Sequence, residues 1–355
     1  MQIPLYDLSV NKYKNQIMTA IECVIDSGQY ILGDEVNTFE QKWAEYCGYR
    51  YAVGVNSGTS AIEALIRSHK LKGKIIVPAN TYSATAMAVC NAGCVPVFVD
   101  CNESCSMDMQ KVEEIIDRTD VSGIIPVHLY GIPADIAGAN KIAKSHNLVI
   151  IEDAAQAHGL KVDGKNDKIY SFYPTKNLGA FGDGGAVVTN SEYRASWIEK
   201  WRNQGRITGN TVNHEIVGTN SRLDAIQAAV LNVKLNYLDA WNKQRFDIAG
   251  LYNDLLTDSS VTLPPQGVYH FYVIRTNNRD QVLNGLKEKG IGCSIHYPVP
   301  VHLQPAFKHL GYKKGDFPMA EKFSKDILSL PMSPYLSRDE IKTVCSCVKQ
   351  NLRTL

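Results

Sequence analysis

The chain has 355 residues, 45% of them hydrophobic and 21% charged, with a formal net charge of +1. That length supports two domains with sizeable cores, and the near-neutral balance gives no electrostatic case for nucleic acid or an anionic membrane. No apolar run reaches the roughly 20 residues of a membrane span, the opening Met1-Gln-Ile-Pro-Leu-Tyr6 lacks a signal-peptide pattern, and nine scattered cysteines without zinc spacing read as the reduced thiols of a metal-free cytoplasmic protein.

Residues 11–27 place Ile17, Ala20, Ile21, Val24 and Ile25 at helical spacing. A loop from Gly28 to Gly33 carries Tyr30, and a helix is expected over 37–47. The strand over 51–55 runs into Asn56-Ser57-Gly58-Thr59-Ser60, small and hydroxyl residues that open a helix. Free N–H groups and hydroxyls at such a junction can hold a phosphate, although alone they make only a good helix cap. Strands over 74–78, 95–100, 123–127 and 148–153 then alternate with helices over 84–92, 109–117 and 134–145. Near-continuous apolar strands in that rhythm predict a mostly parallel sheet covered on both faces. No Gly-x-Gly-x-x-Gly follows a strand and no P-loop lysine occurs, which removes dinucleotide and P-loop readings.

The most informative stretch runs from Tyr170 to Asn190. A short β run over 169–173 meets Pro174, which has no N–H for a ladder. Lys176 follows, then a turn with Gly179, Gly182, Gly184 and Gly185, and a second β run over 186–189. A surface hairpin with a solvated lysine is the plain reading. Upstream, however, the strand over 148–153 ends on Asp153, at the carboxyl end where ligands bind in open α/β sheets. An acid there and a lysine on a following turn match what pyridoxal phosphate needs. The lysine carries the aldehyde as a Schiff base, and the acid keeps the pyridine nitrogen protonated.

Beyond Asn190 a helix through Trp201, a polar loop over 202–219 and one long helical periodicity over 222–256 are expected. A strand over 271–276, a helix over 281–289, a strand over 292–297 and helices over 319–327 and 338–351 complete the chain. The expected division is a large cofactor-binding domain, 1–240, and a small C-terminal domain, 241–355.

Six segments carry a resemblance: Ser57-Gly-Thr-Ser-Ala-Ile62, the run from Val77 to Thr85, Glu152-Asp-Ala-Ala-Gln-Ala-His-Gly159, the run from Ser171 to Asn190, that from Asn220 to Leu231, and that from His296 to Phe307. Together they resemble the DegT/DnrJ/EryC1/StrS family of sugar aminotransferases, over nearly the whole chain. The resemblance implies the type I fold of pyridoxal-phosphate transferases: an α/β architecture with a three-layer αβα large domain, a mostly parallel sheet and a smaller α+β C-terminal domain. It implies Lys176 and Asp153 as the catalytic pair, Gly58, Thr59 and Ser171 on the cofactor phosphate, Tyr82 on the ring face and Gln156 beside the ring hydroxyl. Asn220 is expected to reach the phosphate from the neighbouring subunit of a homodimer with shared active sites. Tyr30, Tyr173, Arg222 and His296 are expected toward the substrate. Packed aromatics are the other reading of Tyr30 and Tyr82, an ion pair that of Arg222, and satisfied structural histidines that of His158 and His296.

The implied activity moves an amino group from L-glutamate to a nucleotide-linked keto-sugar. The runs after Lys176 and from His296 to Ala306 are similar to those of members that act at C3. They imply dTDP-3-keto-6-deoxyhexose as substrate and a dTDP-3-amino-3,6-dideoxyhexose as product, for surface polysaccharide or glycoside biosynthesis. A 4-keto or UDP-linked sugar, and a non-catalytic regulatory protein on the same fold, are the alternatives. The family's dehydratases carry histidine in place of the lysine retained here. The chain departs from the family pattern in two short connections, between His158 and Ser171 and over Leu71 to Lys74.

Overall fold

A computed structural model describes residues 2–9, 11–162, 165–207 and 212–352. In chain order it begins with α1 (Lys14–Ser27), α2 (Asp34–Cys47), β1 (Tyr51–Val55), α3 (Gly58–Ser68), β2 (Lys74–Pro78), α4 (Ala84–Asn91) and β3 (Val95–Val99). It continues with α5 (Met109–Ile116), β4 (Gly123–Ile124), α6 (Ile136–His146), β5 (Val149–Asp153), β6 (Asp167–Ser171), β7 (Gly185–Thr189) and α7 (Glu192–Arg202). The remainder is α8 (Ala225–Leu235), α9 (Leu238–Leu256), β8 (Tyr272–Arg275), α10 (Arg279–Glu288), α11 (Pro318–Asp326), β9 (Ile327–Leu330) and α12 (Arg338–Leu352).

Seven strands form one sheet in the order β1-β7-β6-β5-β4-β2-β3. β7 is antiparallel to both its neighbours, and every other pair is parallel. The mostly parallel sheet expected from the βα rhythm is present. Side chains alternate across it, as strand geometry requires. Ile75 and Val77 of β2 pack with Leu65 of α3 and Val89 of α4, while Ile76 between them packs with Val112 of α5 and Ile142 of α6. Tyr170 and Val188 likewise face Phe39 and Trp43 of α2 and Ala228 of α8. Both faces are therefore buried, which is why the strands read as unbroken apolar runs. A second sheet pairs β8 and β9 antiparallel, Tyr272 opposite Leu330, over Tyr252 of α9, Leu286 of α10 and Val344 of α12.

The strand β9 (Ile327–Leu330) is not expected from the sequence, and three expected elements are cut short or split. The strand expected over 123–127 stops at Ile124, because Pro126 lacks the N–H that would continue the ladder. The periodicity over 222–256 splits into α8 and α9. Asn236 Nδ2 donates back to the Asn232 and Val233 carbonyls at 3.3 Å, a side-chain competitor of the helical bonds, and the Tyr237 ring lies tilted 4.1 Å from that of Tyr13. The strand expected over 292–297 is reduced to bridges, Ile291 to Ile3 and Ser294 to Ser329. The chain then enters a loop with Pro298 and Pro300, which offer no donors. No helix among the described residues is long and apolar enough to cross a membrane.

Candidate active site

Asp153 is the last residue of β5, near the middle of the large sheet, and is only 5% exposed. Its Oδ1 accepts the Ala155 N–H at 3.0 Å and its Oδ2 the Thr85 hydroxyl at 2.8 Å. Thr85 stands one turn after Thr81 and lies 3.3 Å from that hydroxyl. Burial pushes the Asp153 carboxyl up, against the pull of these donors and of Lys176.

Lys176 lies in the turn that leaves β6. Its N–H donates to the Tyr173 carbonyl at 2.9 Å, while the Phe172 N–H donates to Gly184 at 2.7 Å and Phe172 accepts from Ala180 at 2.8 Å. The turn is pinned by its own backbone, and the side chain is half-buried rather than solvated. Burial lowers the Lys176 ammonium to about 8, opposed by the Asp153 carboxylate. A lysine of that pKa offers a lone pair near neutral pH far more readily than an ordinary one.

Across the cleft, Ser57 caps α3 by accepting the Ser60 N–H at 3.2 Å. The first intrahelical bond runs from the Ala61 N–H to the Ser57 carbonyl at 3.0 Å. The Gly58 and Thr59 N–H groups therefore open the helix where its dipole favours an anion. Backbone approaches closely here. A Cβ on Gly58 would lie 2.9 Å from Ser171 Cβ, and one on Gly185 would lie 2.4 Å from the Ser57 carbonyl carbon. A phosphate-sized cradle between the α3 start and the end of β6 thus depends on glycine at both positions.

One cavity of about 430 Å³ contains Gly58, Thr59, Tyr82, Asp153, Gln156, Ser171, Tyr173, Lys176 and His296 together. Gln156 accepts the Tyr130 N–H at 2.6 Å and donates to the Tyr297 hydroxyl at 3.1 Å. The Tyr297 ring lies 5.4 Å from that of Tyr82, which is 58% exposed over the cleft. His296 stacks on Phe271 at 3.9 Å and bonds Tyr6 at 3.1 Å and Ser329 at 2.8 Å. Burial lowers it to about 4, so the ring is neutral. His158 lies beneath the cleft, bonded to the Ser171 carbonyl at 2.9 Å and lowered to about 3 by burial.

Three residues expected at the site lie outside this cavity in the single chain. Asn220 bridges to Asn203, and Arg222 Nη1 donates to Asn203 Oδ1 at 2.9 Å. The Tyr30 hydroxyl donates to the Ile25 carbonyl at 3.4 Å, and its own carbonyl accepts the Ala225 N–H at 3.1 Å. Asn220 and Arg222 lie on the segment that leads into α8, and Tyr30, in the loop between α1 and α2, packs against the start of that helix. Thr85, Tyr297 and Tyr6 are site residues that the sequence reading passed over. Thr85 and Tyr297 do lie within two of the resembling segments, and the hydroxyls of Thr81 and Thr85, four apart at a helix start, were a further signal.

The donor set fits pyridoxal phosphate. A buried carboxylate, a lysine of lowered pKa and an anion cradle face one cavity, whose volume suits a small ligand. The profile of the DegT/DnrJ/EryC1/StrS aminotransferase family matches residues 11–349. The dTDP-3-amino-3,4,6-trideoxy-alpha-D-glucose transaminase of Streptomyces venezuelae is 40% identical, over 98% of this chain and 96% of its own. The dTDP-3-amino-3,6-dideoxy-alpha-D-galactopyranose transaminase of Aneurinibacillus thermoaerophilus is 40% identical, over 98% and 99%. Among solved structures, NtdA from Bacillus subtilis with bound cofactor PMP superposes with a TM-score of 0.92 at 29% identity, covering 98% of this chain and 85% of that one.

Proposed function

Because the chain belongs to the DegT/DnrJ/EryC1/StrS aminotransferase family, we propose that it moves an amino group onto a nucleotide-linked keto-sugar with pyridoxal 5'-phosphate as cofactor. The observation that carries this reading is the single cleft shared by Lys176, Asp153 and the start of α3. When bound, the cofactor supplies an aldehyde and an electron-withdrawing ring on which an amino group is stored between two half-reactions. Lys176 Nζ would hold that cofactor and, when free of it, would act as base and acid. Asp153 would pair with the protonated ring nitrogen, and Gln156 would lie beside the ring hydroxyl. Gly58, Thr59 and Ser171 would hold the phosphate, and Tyr82 would cover the ring.

The amino donor in this reading is L-glutamate, and the working unit is a cytoplasmic homodimer. Asn220 from the second copy completes the phosphate site, which accounts for its place outside the cavity of one chain. Tyr30 and Arg222 reach the substrate by the same route, while Tyr173 and a neutral His296 meet it from within. Residues 1–240 form the cofactor-binding body and 241–355 the small domain. The sugar is dTDP-3-keto-6-deoxyhexose, and both dTDP-3-amino relatives at 40% identity support that choice. The test is to incubate the enzyme and glutamate with dTDP-3-keto-6-deoxyhexose or its 4-keto isomer and read products by mass spectrometry. An amino-sugar from the 3-keto compound is expected. Product from the 4-keto isomer alone refutes the regiochemistry, and product from neither refutes a dTDP-linked 6-deoxyhexose as the substrate.

A further inference from the structure

Among the described residues, the cleft around Asp153 has one lysine or arginine in its lining, Lys176. Its two histidines, His270 and His296, are held neutral by burial. An amino-acid donor brings at least one carboxylate, and burying an unpaired carboxylate is costly. A second cavity, of about 280 Å³, adjoins the Lys176 turn and shares Tyr6, Thr175 and Lys176 with the first. Its wall carries two buried cations, Lys234 of α8 and Arg245 of α9.

Neither cation has a carboxylate within ion-pair distance among the described residues. Lys234 Nζ donates to the Gly179 carbonyl and lies 5.6 Å from the Phe181 ring centroid. Arg245 Nη1 donates to the Tyr269 carbonyl at 3.3 Å and the Met332 carbonyl at 3.1 Å, and its Nε is buried without a partner. The acid in the lining, Asp7, accepts the Ser9 N–H instead. Burial lowers Lys234 to about 8 and Arg245 to about 10. Two buried cations without counter-charge are costly, and a bound anion offsets that cost. The apolar walls, Phe181, Trp241 and Met332, suit a short hydrocarbon chain.

We propose that this cavity binds a carboxylate of the amino-acid donor between Lys234 and Arg245, beside Lys176. The inference rests on the aminotransferase reading. Glutarate, an unreactive dicarboxylate, serves as the probe, and its binding to the holoenzyme is followed by calorimetry. Lys234→Met and Arg245→Gln should each weaken glutarate by about 10-fold or more, as loss of a charge-assisted bond implies. Both should raise the dissociation constant for L-glutamate and leave that for the keto-sugar within about twofold. Sulfate should compete with glutarate on the wild-type protein, a result that carries the test if Arg245→Gln fails to fold. Unchanged glutarate binding by a folded Lys234→Met variant overturns the proposal. So does a loss produced by Arg222→Gln instead, or a loss of thymidine diphosphate binding rather than glutarate binding. A wild-type holoenzyme with no response to glutamate removes the aminotransferase reading itself.

Discussion

Replacing Lys176 by methionine should abolish amine transfer and yet stabilise the cofactor-free protein. Methionine keeps the aliphatic stem and removes the charge. The lysine falls from 10.5 to about 8 in the folded chain, so its charged form is disfavoured by the fold. At about 1.36 kcal/mol per pH unit that shift corresponds to roughly 3 kcal/mol. The side chain is half-buried, and solvent screening reduces the expected gain to about 1–2 kcal/mol. The sign follows from proton counting. Below pH 8 the lysine is protonated in both states and the penalty is fully present. Between about 8 and 10.5 the unfolded chain binds the extra proton, so wild-type stability rises with pH relative to the variant. The penalty is gone above that window. Urea unfolding of both cofactor-free proteins at pH 7 and pH 10 measures the difference, since other titrating groups cancel. A gap that does not shrink with pH, or a variant less stable at pH 7, refutes the electrostatic account. Amine transfer by the variant at a wild-type rate refutes the catalytic role.

Two further outcomes follow from the site. Thr85→Val removes the donor 2.8 Å from Asp153, so the carboxyl rises further and cofactor affinity should drop about 10-fold, the weight of one hydrogen bond to a charged group; Thr85→Ser should restore it, and an unchanged dissociation constant by absorbance titration would show that the hydroxyl does not act on Asp153. Mixing Lys176→Ala chains with Asn220→Ala chains should recover part of the activity, because one hybrid site keeps both groups; no recovery in heterodimers shown to form would count against sharing.

Much of this site was legible because its main parts are punctuated locally. Asp153 ends an apolar strand, Lys176 sits between Pro174 and a run of glycines, and Ser57 opens a helix, so each announces itself within a few residues. The sheet was legible for a related reason: burial on both faces leaves no polar alternation to confuse a strand with a loop. What escaped is whatever the fold assembles at long range. Tyr6 meets His296 across 290 positions, and Tyr297 meets Gln156 across 141. Lys234 and Arg245 lie on ordinary helical stretches, where an exposed cation is the default. Only tertiary packing shows that α8 and α9 turn them inward without an acid. The break at Asn236 escaped because a polar side chain that bonds its own backbone looks, in one dimension, like any surface residue.

The histidines around the cleft give the last prediction, an acid-labile fold. His158 falls from 6.5 to about 3 and His296 to about 4, each chiefly through burial with Lys176 adding to it. His270 is lowered for the same two reasons. These are bases whose folded pKa is depressed, so they cost nothing above pH 6.5, where both states are neutral. As pH falls below 6.5 the unfolded chain takes up protons that the folded chain refuses, and stability falls with it. At pH 5 His158 and His296 have each passed about 1.5 units of that window, worth roughly 2 kcal/mol apiece at 1.36 kcal/mol per unit. Since a whole domain is held by only about 5–15 kcal/mol, two such groups take a large share of it, and His270 acts in the same direction. The check is urea unfolding at pH 7 and pH 5, with histidine ring shifts followed by NMR. Stability should fall by several kcal/mol while the His158 and His296 rings of the folded protein stay neutral. A folded-state titration of either ring near 6.5 would remove its contribution. It would also mean that water reaches the floor of the cleft, in conflict with the packing of His158 against Trp43 and Phe172.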